Sequence, residues 1–249
     1  MTTFPDESAL TPPPAGPKPN PFSRIVGAII APVDTFNSIA ERPDWVVPFL
    51  LVIVFVFLST ILGASHIDIE GSMRKQMASR DMTPAQVDRA IEIGMKMQKF
   101  NAVIVVVIVP VVLLIVATVL LFAFRAFGGE GTFRQSLAIT SYAWMPFLIQ
   151  GILTLILLMS RQGVLQQDMA TILMSNPGAF LTDANPIVLA ILSSLDVFTF
   201  WVLALMVVGY SAMSRLTRGQ SAAIVIGLWL VVVLFKVGAA SVGMMMGKH

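Results

Sequence analysis

The sequence contains no cysteine and only two histidines, His66 and His249. The absence of cysteine excludes disulfides, zinc–thiolate sites and cysteine nucleophiles. Two histidines leave little from which to build a histidine metal cluster or a catalytic triad. We find no catalytic motif either, and we therefore expect no metal, no cofactor and no enzymatic activity.

Charge is also scarce, because only 12% of residues are Asp, Glu, Lys or Arg, against about 25% in soluble domains. The formal net charge is +2, which gives no strongly basic surface for nucleic acid. Hydrophobic residues make up 56% of the chain. This composition is typical of a membrane protein.

Five apolar stretches are long enough to cross a bilayer as helices, which takes about 20 residues each. Helix is the form that satisfies every backbone group of an open chain in lipid. We predict an all-α membrane protein with five transmembrane helices. The spans cover approximately residues 45–63, 101–124, 137–159, 186–210 and 222–246. Pro110 and Pro146 fall inside the second and third spans, where proline predicts kinks.

The chain begins with a proline-rich polar tail, residues 1–21, which we predict to be disordered. Residues 22–249 form the predicted membrane domain. Its first segment, residues 22–42, carries apolar side chains at helical spacing and is divided by proline. We expect an amphipathic helix in the membrane interface; the alternative is a soluble helix packed on the loops. The positions that define this segment are Phe22, Ile25, Ile29, Pro32, Phe36 and Ile39.

The loop between the first two spans is predicted to be helical. The stretch "TPAQ", residues 83–86, is a capping box with proline at the first helical position. A helix should follow from Pro84 to about residue 99, and it can run directly into the second span. Glu92 and Lys96 give one i,i+4 ion pair on it. Residues 132–135, "TFRQ", repeat the capping pattern before the third span.

Asp196 and Lys236 are charged residues placed deep within the fourth and fifth spans. Each lies about ten residues, or about 15 Å of helix, from the same face of the membrane. A central charge costs about 2.5–3.5 kcal/mol to insert. We therefore predict a salt bridge between them, direct or through one water, with Ser193 and Thr199 as further hydrogen-bonding partners of Asp196.

The role of this pair stays open at the level of sequence. It can fix helix packing and register, or it can mark a ligand, ion or proton site, as intramembrane ionisable groups often do. A third possibility is that Lys236 reaches toward the surface while Asp196 is protonated. Tyr142 and Gln150 are further polar positions in the third span.

Five spans place the two termini on opposite sides of the membrane. Lys and Arg are nearly balanced between the two sides, so the positive-inside rule does not choose an orientation.

Three stretches, taken in order, resemble one known family: "APVDTFNSIAERPDW", "GGEGTFRQSLAITSYAWMP" and "LDVFTFWVLALMVVGYSAMSRLTRGQSAA". They are similar to bacterial members of the Yip-domain family, which is related to the Ypt/Rab-interacting multi-pass membrane proteins. The resemblance implies five helical spans, a bacterial inner membrane, a cytoplasmic N-terminus and a C-terminus outside. Recurrent family positions correspond to Pro32, Phe36, Tyr142, Pro146, Asp196, Trp201 and Gly209.

The eukaryotic relatives act in vesicle transport and bind prenylated small GTPases. Their signature around "DLYGP" is not visible here, so GTPase binding is not carried over. We expect a non-enzymatic membrane-organising or protein-interaction scaffold, whose partners are the lipid bilayer and other membrane proteins or itself. The alternative is a small permease or channel-like carrier that uses the Asp196/Lys236 pair, the two prolines, Gln150 and Tyr142.

Overall fold

The computed structural model describes residues 20–77, 82–181 and 185–246, and these ranges are almost entirely helical. The predicted tail lies outside the described residues except for Asn20 and Pro21, which begin the first helix. Ten α-helices occur within the described ranges. They are α1 (Pro21–Ile30), α2 (Pro32–Glu41), α3 (Val46–Gly63), α4 (Ile69–Met77), α5 (Pro84–Ala126), α6 (Phe133–Ala143), α7 (Met145–Met159), α8 (Pro186–Leu192), α9 (Val197–Ser214) and α10 (Arg218–Met246).

Five helical segments of the described residues are long and apolar enough to cross a membrane, which confirms the predicted all-α membrane fold. They are Val46–His66, Ile104–Ala126, Phe133–Met159, Val197–Ser214 and Arg218–Met245. The first and fifth spans lie at the periphery, with few of their side chains buried. Such apolar exposure in a chain of this composition indicates contact with lipid.

The second span and the helix before it form one continuous helix, α5, of 43 residues. It begins where the sequence predicted, because Thr83 and Gln86 make both bonds of the capping box. The Glu92–Lys96 pair also forms, at 2.7 Å. About twenty residues precede the apolar part of α5, so the helix projects about 30 Å beyond it. Pro110 lies inside α5 without ending it.

The third span is divided at Trp144 into α6 and α7. Pro146 lies in the first turn of α7, where its missing N–H leaves no intrahelical bond unmade. The break predicted near this proline is therefore confirmed. The capping box of Thr132 and Gln135 at the start of α6 is confirmed as well.

The fourth span differs from the prediction of one helix over residues 186–210. It is divided into α8 and α9, and the segment that is long and apolar enough to cross a membrane is Val197–Ser214. Asp196 is the N-cap residue of α9 and does not lie within a helix. The predicted placement of Asp196 in mid-helix was therefore wrong, and the reason is the capping described below.

The segment at residues 22–42 is two helices, α1 and α2, and Pro32 divides them as predicted. The predicted position of this segment in the membrane interface stays a prediction, but α2 does not turn its apolar face outward. Phe36 and Ile39 are fully buried, because α2 packs against α9 and α6. Ile25 and Ile29 are half-buried, and Phe22 is exposed.

The core is formed by α2, α5, α6 and α9 around large buried side chains. Its centre is a close approach at Gly209 of α9, where an added Cβ would lie 2.5 Å from Ile139 Cγ2 and 2.8 Å from Phe36 Cδ1. Glycine at this position lets α2 approach α9 closely, as small residues do in membrane helix packing. Nearby, the rings of Tyr210 and Phe124 stack with centroids 4.8 Å apart.

The far end of the bundle, opposite the end where the first span begins, is built from short elements. A parallel pair of two-residue strands joins β1 (Ile67–Asp68) to β2 (Val164–Leu165). Short 3₁₀ helices at Gln166–Thr171 and Pro177–Phe180 complete this end. The loop that holds α4 was predicted to be helical, but no sequence pattern indicated the position of α4 or the strands and 3₁₀ helices.

Candidate functional site

Asp196 lies between α8 and α9, where the helix of the fourth span is interrupted. Only 5% of its surface is exposed. Its Oδ1 accepts hydrogen bonds from the backbone N–H groups of Phe198, at 2.9 Å, and Thr199, at 3.1 Å. These amides belong to the first turn of α9 and have no partner inside the helix. The carboxylate therefore caps α9, and its charge is favoured by the positive end of the helix dipole.

The second carboxylate oxygen of Asp196 is bound by two side chains from other parts of the chain. Oδ2 accepts a short hydrogen bond from Ser175 Oγ and a 3.3 Å hydrogen bond from Gln150 Nε2. The Val197 N–H donates to the Ser175 carbonyl at 3.1 Å. This bond attaches the loop that carries Ser175 to the first residue of α9. Donors from within the chain thus satisfy both oxygens of the buried carboxylate, which the low-polarity interior requires.

Lys236 does not pair directly with Asp196. Its Nζ donates to Ser194 Oγ at 3.3 Å, and the ion pairs of the described residues do not include Asp196. The two sites do lie at the same level, because Ser194 is two residues from Asp196. The predicted salt bridge therefore does not form directly, and donors from the helix end and from side chains satisfy the carboxylate. The form of the pair through one water stays a prediction. The carrier alternative, which uses this pair, stays a prediction.

The other predicted site residues separate into different places. Thr199 binds Asp196 through its backbone N–H, whereas Ser193 Oγ donates to the Ala190 carbonyl at 3.3 Å and does not reach the carboxylate. Gln150 joins the Asp196 site, but Tyr142, eight residues earlier in the third span, belongs to a second polar network. Pro110 and Pro146 contribute no polar group to either site.

A second buried network is centred on Arg24 of α1, which is 4% exposed. Its Nη1 forms a short ion pair with Asp44 Oδ1 and donates to the Arg42 carbonyl at 2.8 Å. Its Nη2 donates to the carbonyl and the hydroxyl of Ser38, at 3.0 and 2.8 Å. We call this the Arg24 network. It ties α1 to the end of α2 and to the linker that enters the first span.

The Arg24 network extends to the third span. Tyr142 donates its phenol hydrogen to Asp44 Oδ2 at 3.0 Å, and Gln135 Nε2 donates to the Ala40 carbonyl at 2.7 Å. These contacts join residues 95 to 98 positions apart in the chain. Since a planar guanidinium with several partners has one favourable orientation, the network holds α1 and α2 in a fixed position on α6.

The side of α1 that faces away from the Arg24 network is apolar and exposed. Phe22, Val26 and Ile30 follow one another at i,i+4 spacing and are 65%, 55% and 75% exposed. We call these three side chains the outer ridge. Arg24 and Ala28 are the buried residues of the same helix. The helix is thus attached through a buried charge and presents apolar side chains outward.

The sequence analysis did not identify Arg24, Asp44, Ser38 or Ser175 as site residues. Signals were present for some of them. An arginine in the first turn of an otherwise apolar helix is opposed by the helix dipole, so it needs an acidic partner. Asp196 followed by an apolar run is also an N-cap pattern. No local signal indicates Ser175, because it reaches Asp196 from a separate loop.

The described residues form five candidate spans, two buried polar networks and the amphipathic helix α1. These are features of an integral multi-pass membrane protein. A family model described as the Yip1 domain matches residues 26–240. The chain therefore belongs to the Yip1 domain family, as the three quoted stretches predicted. Comparison with curated proteins and with solved structures gave no match.

Proposed function

We propose that this protein is a non-enzymatic membrane-organising protein that shapes or marks the bilayer with its N-terminal helix pair. The outer ridge carries this proposal. It presents three large apolar side chains on α1, which α2 and a short linker separate from the first span. Apolar side chains of an interfacial helix insert into the boundary between headgroups and acyl chains.

Rigid attachment distinguishes this helix from a free amphipathic segment. A free segment loses conformational entropy when it orders on a membrane, whereas the Arg24 network and the burial of Phe36 and Ile39 hold α1 and α2 in place beforehand. Inserted side chains then add volume to one leaflet at a constant position relative to the spans. We infer that several copies would bend a membrane or prefer a bent one.

Partners and orientation belong to the same proposal. The peripheral spans α3 and α10 present apolar faces that suit lipid or other transmembrane helices, including those of a second copy. We propose the inner membrane of a bacterium as the location. The family resemblance supports a cytoplasmic N-terminus, and with this orientation the outer ridge would lie in the cytoplasmic leaflet.

The experiment compares vesicle shape with and without the outer ridge. The full chain is reconstituted into liposomes at several protein-to-lipid ratios, and vesicle diameter is measured by electron cryomicroscopy. The test variant replaces Phe22, Val26 and Ile30 with serine. We expect wild type to shift vesicles toward smaller or tubular shapes as its density rises, and the variant to leave the distribution unchanged.

A matched control replaces three exposed apolar side chains in the projecting part of α5, namely Ile93, Met97 and Phe100, with serine. This control removes similar apolar surface at the far end of the bundle and should behave as wild type. Wild-type vesicles that keep the diameter of protein-free vesicles at every ratio would contradict the proposal. Equal loss of effect in both triple variants would contradict the assignment to the outer ridge.

A further inference from the structure

One face of α5 carries exposed apolar side chains that continue from the projecting part of the helix into the second span. Successive members of this row are four and three positions apart in turn, and each is 36% to 66% exposed. We call this row the α5 stripe, which consists of Ile93, Met97, Phe100, Ile104, Val107, Val111 and Leu114. Alternation of three and four positions over three heptads is the pattern of a coiled-coil seam.

The projecting part of α5 is covered on another side by α4. The two helices pack against each other, and Ile91 of α5 and Met77 of α4 are both buried. Because successive residues turn by about 100° around a helix, Ile91 lies on nearly the opposite side from Ile93 and Phe100. The packing of α4 therefore leaves the α5 stripe uncovered.

Lipid does not cover the outer part of the α5 stripe. The second span begins at Ile104, and Met97 and Ile93 lie about 10 and 16 Å before it along the helix. The polar layer on each side of the hydrocarbon core is about 5–8 Å thick, so both side chains lie in water. Large apolar side chains that are exposed to water in a row indicate a contact surface.

The rest of this chain does not supply the cover. One crossing separates α1 from α5, so the N-terminal tail and the projecting part of α5 lie on opposite faces of the membrane. On the α5 side, residues 78–81, 182–184 and 247–249 lie outside the described ranges, and each segment is shorter than the eight residues from Ile93 to Phe100. A second molecule is therefore needed to cover these side chains.

A second copy of the chain fits this surface. Two copies inserted in one membrane with the same orientation hold their α5 helices parallel and at the same height. Equivalent positions of the two stripes then face each other without a shift in register, and side chains at this spacing pack knobs into holes. The contact is two-fold symmetric, because each copy uses the same surface.

The charges beside the α5 stripe allow this contact. Every member of the stripe is apolar, and Lys96 at its edge is bound by Glu92 of its own chain at 2.7 Å. Two copies can therefore face each other without bringing an unpaired lysine into the interface. The Glu92–Lys96 pair would remain at the rim, and a polar rim around an apolar contact is the usual anatomy of a protein interface.

We propose that this protein forms a parallel, two-fold symmetric dimer through the α5 stripe. From Ile104 to Leu114 the two helices pack against each other within lipid. From Ile93 to Phe100 the same contact continues into water, where burial of apolar surface supplies a hydrophobic driving force that is absent between helices in lipid. The dimer does not depend on membrane bending, because the outer ridge lies on the other face of the membrane.

Disulfide cross-linking in reconstituted membranes tests the geometry of the dimer. The chain has no cysteine, so Met97→Cys and Phe100→Cys each place a single thiol in the stripe. Met95→Cys is the matched control, because Met95 is also apolar and exposed in the projecting part but points to nearly the opposite side of the helix from Met97. At a low protein-to-lipid ratio, mild oxidation should give covalent dimer from the two stripe variants and monomer from the control.

Sedimentation equilibrium of the full chain in mild detergent measures the strength of the dimer. Burial of a large apolar side chain contributes about tenfold or more in affinity, so Met97→Ser should weaken dimerisation about tenfold. The triple replacement of Ile93, Met97 and Phe100 by serine should weaken it by more than about 100-fold. Met95→Ser should stay within about twofold of wild type.

Three results would overturn the proposal. One is a wild type that is monomeric at every protein concentration, which would leave the stripe to a partner of another kind. The others are equal cross-linking at Met95 and Met97, and a dimer of unchanged strength in the triple variant. The replaced side chains are exposed in the monomer, so the variants should fold. Loss of the dimer in the triple variant, with its vesicle shapes as in wild type, would separate this proposal from membrane bending.

Discussion

At the end of the bundle where the chain enters the membrane, charged and polar side chains are buried and connect α1, α2 and α6. At the far end, charged side chains pair on the surface. Arg24 is almost fully enclosed in the first region, whereas Arg74 binds Glu70 and Asp88 in the second with about half of its side chain exposed. Both regions contain ion pairs, but the buried pair of Arg24 connects helices to one another, whereas the pairs of Arg74 lie on the surface.

Burial determines this difference. An exposed ion pair is screened by water and contributes little to stability, while removing one partner of a buried pair leaves an uncompensated charge. The entry end is therefore the region whose geometry is fixed, and the far end is the region where contacts can be exchanged at low cost. The outer ridge belongs to the fixed region.

The largest expected effect is on Arg24. Arg24→Met keeps much of the side-chain volume but leaves Asp44 and Ser38 without their partner. We expect a loss of about 3 kcal/mol or more in unfolding free energy, measured as a lowered melting temperature in mild detergent by tryptophan fluorescence. Arg74→Met at the far end should leave the melting temperature nearly unchanged. Equal shifts of the melting temperature in Arg24→Met and Arg74→Met would contradict the difference in stability described for the two ends of the bundle.

The next effect concerns the contact that holds α2 in the core. Gly209→Ala would place a methyl group 2.5 Å from Ile139 Cγ2, and overpacking of this kind costs about 1–3 kcal/mol. Gly238 lies on α10 with no neighbouring atom within 4 Å of an added Cβ, so Gly238→Ala should be neutral or slightly stabilising. Thermal unfolding of both variants checks the prediction, and a stabilised Gly209→Ala would contradict the packing described.

A smaller effect tests the role of Asp196. Loss of an N-cap costs about 1–2 kcal/mol, and asparagine caps nearly as well as aspartate. Asp196→Ala should therefore lower the melting temperature more than Asp196→Asn does. If the charge of Asp196 were required by Lys236, the two variants would be equally destabilised, and Lys236→Met would be as severe as either.

The smallest effect is electrostatic and lies at the far end. The hydrogen bond from Lys96 lowers the pKa of Glu92 below its ordinary value, with the positive charge of Lys96 as the second cause. The contribution of the Glu92–Lys96 pair to the free energy of unfolding is present above the ordinary pKa of glutamate. It is lost as the pH falls through the lowered pKa of Glu92. Lys96→Ala should return the Glu92 pKa upward in an NMR titration, with no measurable change in melting temperature. A Glu92 pKa unaffected by this change would show that the pair is not formed in solution.

Much of the fold could be predicted because its causes are local. Apolar length predicted the five spans, the capping pattern at Thr83 placed the start of α5, and Pro32 and Pro146 marked real helix boundaries. The error at Asp196 has a physical origin: hydropathy averages over a window, and a capped break between two apolar helices reads as one continuous span. The hydropathy pattern alone does not show that Asp196 caps α9 and that a new helix begins there.

The polar sites were less predictable because they depend on contacts between distant residues. Tyr142 reaches Asp44 across 98 positions, and Ser175 reaches Asp196 from a loop with no regular pattern. Charge matching by depth placed Lys236 at the level of Asp196, but the direct hydrogen bond of its Nζ goes to Ser194. Which side chain satisfies a buried charge depends on the whole bundle, so the sequence pattern of two helices could not identify it.

The central claim is that a rigidly attached α1 holds its outer ridge in lipid. Because the chain has no cysteine, single cysteines at Phe22, Val26, Ile30 and Asn37 can carry spin labels without background. In reconstituted membranes, we predict that labels at the three ridge positions are relaxed by oxygen, as in lipid, while a label at exposed Asn37 is relaxed by a water-soluble nickel complex. Ridge labels as accessible to the nickel complex as the label at Asn37 would contradict the claim.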